Sequence, residues 1–407
     1  MTSDAAIKFF RSRAIGLRLV AVITIALLSA GPGAAQSSKT IEALIARLDA
    51  AQRSELALYR AARARHDAAL QSYWSTVATR RTERRRKLRA GGPIGPEDYV
   101  LTFPPEYSGP RLSPAIARIW AEIEKEERPP REPIPSVEDV LASAKAHYGF
   151  VPERISEREF KWRYAFEALA VGLTKEQIVR IYALETGGQG TYDMQAGISP
   201  ITRRGTPIST ALGYAQLLHA NSVNELVNHG AAFARRLDAM ANAEPHRAAA
   251  LRAKARIVRS MLQNARSVPY DWYEHMRYAA TPKGLGIHAL NIDADVGPWL
   301  QVIKLKGIRD EALRAGRASL APVEMELMNL AGPSTGLEMM LPVARNVPTS
   351  NFFSRGGYER NSIVRGRTAA ELLAALDKRM DENERKPGAV EFAAVFDEVA
   401  RMRQARR

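Results

Sequence analysis

Apolar positions recur at helical spacing along most of the chain. Ile41, Leu44, Ile45 and Leu48 stand at i, i+3, i+4 and i+7, one face of an amphipathic helix. Tyr59, Ala62, Ala69 and Tyr73 continue a seam of smaller residues, and 39–89 contains neither Gly nor Pro. This predicts a long helix or helical hairpin, with heptads too poorly filled for a coiled coil. Further on, Ser136-Val-Glu-Asp139, Ser156-Glu-Arg-Glu159, Thr174-Lys-Glu-Gln177 and Ser222-Val-Asn-Glu225 read as helix starts. In each, a hydroxyl stands three residues ahead of a carboxylate or amide, so the two can satisfy each other's backbone N–H groups. Gly149 and Gly172 fall where helices should stop. Helices are also predicted over Pro114–Glu127, 247–265 and 367–380, and after Pro387. Alternating β-type runs are scarce, so the pattern predicts a mainly α fold.

Ten of the 23 prolines fall within 93–135. Proline fixes φ and removes a donor, so 91–135 is expected to be an extended spacer interrupted by one helix. The expected organisation is a long-helix arm over 36–90, the spacer, a helical domain over 136–300, and extra helices over 301–407 ending in a basic tail. The last segment carries no motif.

Residues 1–35 read as an export signal. Lys8, Arg11, Arg13 and Arg18 precede the apolar stretch 19–30, and Gly33-Ala34-Ala35 offers small residues for cleavage after Ala35. A stretch of twelve residues, broken by Thr24 and Ser29, is too short to span a bilayer of about 30 Å. The mature chain is therefore expected in the periplasm. The net charge is +15, and the signal's four basic groups against Asp4 leave +12 on the mature chain. Residues 80–89 hold seven basic groups and one acidic, and 401–407 holds four arginines, so the remainder is nearly neutral. An exported protein seldom meets nucleic acid. Anionic membrane or cell-wall surfaces are the expected partners of these patches, against the plainer reading of a solvated helix face and a frayed tail.

Cysteine is absent, which excludes disulfides, thiolate metal sites and thiol nucleophiles. The seven histidines show no paired-ligand spacing, so no metal or other cofactor is expected. Asn291, Asp293 and Asp295 lack a following bidentate Glu and read as a turn. The Gly-rich stretch 354–360, with Phe352, Phe353 and Tyr358 around it, reads as a loop that packs or lines a cleft.

One helix points to chemistry. From Thr174 it shows Ile178, Ile181 and Tyr182 at i, i+3 and i+4, and Glu185 takes the i+7 place on that apolar stripe. Gly187-Gly188 then ends it. Partial burial and the negative end of the helix dipole both favour the protonated carboxyl, as a general acid near neutral pH requires. Asp193, eight residues on, is a second carboxylate able to hold a water if it faces the same cleft; otherwise it serves an Asx-turn.

At this point the chain resembles the lytic transglycosylases of the goose-type lysozyme-like superfamily. Glu185-Thr186-Gly187-Gly188 matches their helix-ending Glu-Ser-Gly-Gly motif. Gly213-Tyr214-Ala215-Gln216-Leu217 is similar to their Gly-Leu-Met-Gln-Leu, and Ala289-Leu290-Asn291 keeps the Ala and Asn of their Ala-Tyr-Asn-Ala-Gly. The resemblance covers 156–295 and implies a lysozyme-like catalytic domain that cleaves the N-acetylmuramic acid–N-acetylglucosamine bond of peptidoglycan without water. It implies Glu185 as acid and base. Gly213, Tyr214, Gln216 and Asn291 would face the glycan, and Tyr192 would stack on sugar rings unless it packs in the core. A glycan-binding scaffold that kept the fold, and a hydrolytic muramidase using Asp193, are the alternatives. The sequence leaves the oligomeric state open.

Overall fold

The structure is a computed structural model that describes residues 38–127 and 133–405. The expected export signal, residues 128–132 of the proline-rich spacer and the last two arginines of the tail lie outside the described residues. No helix among those described is long and apolar enough to cross a membrane.

The fold is mainly helical. In chain order the helices are α1 (Ser38–Ala46), α2 (Ala50–Arg89), α3 (Pro114–Glu127), α4 (Val137–Tyr148), α5 (Glu157–Ala170) and α6 (Lys175–Thr186). Next come α7 (His219–Ala243), α8 (Ala248–Arg266), α9 (Trp272–Ala279), α10 (Pro282–Ile287) and α11 (Gly297–Arg314). The last five are α12 (Pro322–Ala331), α13 (Pro333–Met339), α14 (Arg355–Arg360), α15 (Ala369–Glu384) and α16 (Pro387–Ala405). Pairing of β type among the described residues is limited to isolated bridges such as Gln195–Leu212 and Ile198–Gly205.

Side-chain caps explain where several helices begin. Ser136, Ser156 and Thr174 accept from the backbone N–H three residues on, and Asp139 and Gln177 return the bond to Ser136 and Thr174. The fourth expected start is displaced. α7 begins before Ser222, because the Asn221 side chain accepts from the Leu218 N–H at 3.2 Å. Ser222 is instead buried inside the helix, 2.8 Å from His288 Nδ1.

The described residues form two compact units, one from 38–127 and Glu338–Leu372, the other from Pro133–Leu337 and 373–405. This grouping cuts across the expected boundary at 300, because α11 runs through it unbroken.

In the first unit, Ile41, Leu44, Leu48 and Leu56 pack with Ile116, Trp120 and Ile123 of α3. At the other end of α2 the basic run turns inward. Arg84 is fully buried: it ion-pairs with Glu338 and donates to the Asp98 and Asn351 carbonyls, both at 3.1 Å. Its guanidinium lies 4.3 Å from the centre of the Tyr99 ring. Arg81 donates to the Asn351, Ser350 and Phe353 carbonyls at 2.9, 3.0 and 2.7 Å. The 80–89 run is therefore partly structural, not one solvated face. The spacer is tied down as well. The Asn351 amide pairs with Val100 as a strand would, accepting from its N–H at 2.9 Å and donating to its carbonyl at 2.8 Å. The Gly-rich stretch is the short helix α14, capped by Ser354, and Phe352, Phe353 and Tyr358 are all buried.

In the second unit, α4, α7, α8, α10 and α11 enclose one core that includes Val140, Phe150, Leu226, Phe233, Leu251, Val258 and Leu300. The 291–295 segment is a turn pinned by cations. Lys254 donates to Asp293 at 3.0 Å and to Asp295 at 2.5 Å, Arg247 reaches both Asp295 oxygens, and Arg163 reaches one at 2.8 Å. α5, α6 and α16 meet over a set of rings. Tyr182 stands edge-on to Tyr214 and Phe392 at 4.8 and 5.2 Å, and Tyr164 to Phe392 at 5.7 Å.

Arg84→Ala leaves the Glu338 carboxylate buried without its cation. It is expected to lower the unfolding free energy by about 3–5 kcal/mol in a denaturant titration. A loss below about 1 kcal/mol would show that the buried pair does not hold the first unit together.

Candidate active site

The site is assembled from the end of α6. Ile178, Ile181 and Tyr182 are buried, which commits that face to the core, and Glu185 continues the same stripe. The helix cannot run on, because Gly187 adopts φ +65°, a left-handed conformation that disfavours residues with a Cβ. Glu185 thus sits in the last turn, partly exposed.

Polar side chains from four other helices face it or its neighbours. They are Lys304 of α11, Glu326 and Asn329 of α12, Arg379 of α15 and, across Lys304, Glu225 of α7. Asn329 Nδ2 donates to Glu185 Oε1 at 3.0 Å and lies 3.3 and 3.5 Å from the two Glu326 oxygens. The shared amide sets the Glu185 and Glu326 carboxyls side by side. Glu326 is 3% exposed, so its partners come from the protein rather than from water. Lys304 faces all three carboxylates.

Burial decides the protonation of this cluster. It pushes Glu185 up to about 7, against the pull of Lys304, the neighbouring Glu326 carboxyl, Arg379 and Asn329. Glu225 is likewise pushed up to about 7 by burial, with Lys304 opposing. Glu326 is held well above the usual carboxylate range by burial and by the neighbouring Glu185. Burial lowers Lys304, and the three carboxylates oppose that. At neutral pH Glu185 can therefore both give and take a proton, which is the behaviour of a general acid–base catalyst.

The other sequence-predicted residues have partners of their own. Tyr214 is buried and donates to Glu157 at 2.6 Å. Tyr192 is buried, stacks on Phe160 with centroids 4.4 Å apart, and donates to the Ile155 carbonyl at 3.0 Å. Gly213 adopts φ +80°, and a Cβ there would meet the Gln301 amide nitrogen at 2.7 Å. Gln216 donates back to the Gly213 carbonyl at 2.8 Å and partly faces solvent. Asn291 is fully buried and donates to Ser222 at 2.6 Å. Asp193 ion-pairs with Arg154 and Arg203 and accepts from Thr191 at 2.7 Å, and these partners hold its carboxyl below the usual range despite burial.

Lys304, Glu326 and Asn329 lie in the segment where the sequence shows no motif. One signal is present: Glu326 stands among Met325, Leu327 and Met328, all buried, so a carboxylate is enclosed by apolar neighbours on its own helix.

Comparison with protein-family models, with characterised proteins and with solved structures finds no match. The chemistry of this site rests on its own geometry.

Folded Glu185 holds its proton more tightly than the unfolded chain does, at about 7 against 4.5. Its contribution to stability is full below about pH 4.5 and is lost as pH rises through about 7. Glu185→Gln removes this dependence. Unfolding titrations across that range are expected to show the wild type losing about 3 kcal/mol relative to the variant as pH rises. Parallel stability curves would show that Glu185 is not desolvated.

Proposed function

We propose that this chain is a periplasmic lytic transglycosylase of lysozyme-like fold, acting on the glycan strands of peptidoglycan, with Glu185 as its acid and base. The observation that carries the reading is a partly exposed glutamate in the last turn of α6, held by Asn329 and poised near pH 7 by its surroundings. Its placement supports the resemblance of 185–188 to the family's first motif.

In this reading protonated Glu185 donates to the oxygen that leaves with N-acetylglucosamine. The acetamido oxygen of the muramic residue attacks C1 as that bond breaks. The Glu185 carboxylate then takes the proton of the C6 hydroxyl, whose oxygen displaces the acetamido group and closes a 1,6-anhydro ring. The proton given is the proton recovered, so no water is consumed and no second carboxylate is needed. Asp193 supports the hydrolytic alternative poorly, because its oxygens are already taken by Arg154, Arg203 and Thr191. The burial of Tyr192, Tyr214 and Asn291 favours a different alternative, a glycan-binding scaffold, because it removes three expected sugar contacts.

Anionic wall or membrane surfaces remain the partners proposed for the basic segments. Within 80–89 that role falls to the exposed Arg85, Arg86 and Arg89.

The test is mass spectrometry of purified peptidoglycan digested with the wild type and with Glu185→Gln. Anhydromuropeptides are expected from the wild type, with a loss of at least ~100-fold in the variant. Reducing-end products would replace this reading with hydrolysis. No products from either protein, with binding to sacculi retained, would leave a scaffold.

A further inference from the structure

Two carboxylate oxygens cannot hydrogen-bond each other unless one of them carries a proton. One amide nitrogen, Asn329 Nδ2, lies 3.0 Å from Glu185 and 3.3 Å from Glu326, which sets the two carboxyls side by side in one enclosed cluster, where a direct bond between them and relief of their repulsion both call for one proton. The surroundings decide which residue holds it. Glu185 faces two cations, Lys304 of α11 and Arg379 of α15, as well as Tyr164 of α5. Glu326 is almost completely enclosed, whereas Glu185 is partly exposed. Ionisation is therefore cheaper at Glu185, and the proton rests on Glu326.

We propose that Glu326 is a positioning residue for Glu185: a neutral carboxylic acid that donates its hydroxyl to the Glu185 carboxylate and sets the pH at which that carboxylate exchanges protons. This rests on the reading of Glu185 as the acid–base group. α12 is suited to the role because residues three apart lie on one helix face, so Glu326 and Asn329 present two donors together. The hydroxyl stabilises ionised Glu185 without adding charge, which brings its titration down toward neutrality from the higher value that burial alone would impose. An ionised Glu326 would do the reverse.

The experiment follows the Glu185 carboxyl carbon by NMR in uniformly labelled full-length protein, with Glu185→Gln to assign the signal. Three proteins are compared: wild type, Glu326→Gln and Glu326→Leu. The Gln amide still donates, so E326Q is expected to keep the midpoint close to that of the wild type. Leu cannot donate, so E326L is expected to raise the midpoint by about one pH unit. A fall in E326L, or no change, would overturn the proposal. If E326L does not fold, infrared spectra decide. Above the Glu185 midpoint, the wild type is expected to keep a protonated-carboxyl band that E326Q lacks, and its absence from the wild type would overturn the assignment. Neither readout needs turnover. A raised midpoint with no glycan products would sink the transglycosylase reading alone, and products with an unmoved midpoint would sink the role of Glu326 alone.

Discussion

A carboxylate taken out of water must find cations, hydrogen-bond donors or a proton, and this chain buries several. Asp295 is answered by Lys254, Arg247 and Arg163, and Glu338 by Arg84. In both cases fixed positive charge faces the acid, and the cations hold the Asp295 carboxyl below the usual range. Around Lys304 the balance differs. Glu185, Glu225 and Glu326 share one lysine, and Arg379 also faces Glu185. Charge is not matched there, so protons must make up the difference, and a group that holds a proton only loosely near neutral pH is available for chemistry.

Local geometry and long-range packing divide the work of building this site. α6 needs only its own sequence to deliver Glu185: the Thr174–Gln177 box starts it, the apolar stripe orients it and Gly187 stops it. The environment that tunes Glu185 comes from elsewhere, with Asn329 lying 144 residues away in the chain. The nearby loop is shaped for stability. Gln301 donates to the Asn291 carbonyl at 3.3 Å and accepts from the Ala215 N–H at 3.0 Å, so the 213–216 turn is fastened to the core beneath it.

What the sequence made legible follows the same division. Helix type, and the starts at Ser136, Ser156 and Thr174, were readable because caps and 3.6-residue periodicity are local. The start of α7 was misread because Ser222 is engaged by His288, a tertiary partner, while the helix starts after Leu218, whose N–H the Asn221 side chain accepts. Composition suggested an extended spacer around Val100, and the asparagine amide that fastens it lies 251 residues away in the chain. The charge of 80–89 concealed two arginines that face inward, since burial of a cation depends on acceptors supplied from 338–353. Lys304, Glu326 and Asn329 went unseen because residues that meet only through packing leave no spacing to read.

The closeness of Glu185 and Glu326 constrains what any reaction here can use. Glycosidases that employ two carboxylates place them about 5–10 Å apart, on opposite sides of the sugar, with room for a water or for covalent attack. Glu185 and Glu326 touch the same amide nitrogen, at 3.0 and 3.3 Å, so that amide and not a sugar ring fills the space between them. In the proposed reaction Glu326 therefore cannot act across a sugar ring from Glu185, and the two would work from one side. A mechanism in which the substrate supplies its own nucleophile, first through the acetamido oxygen and then through the C6 hydroxyl, is the glycan chemistry that such a one-sided arrangement suits.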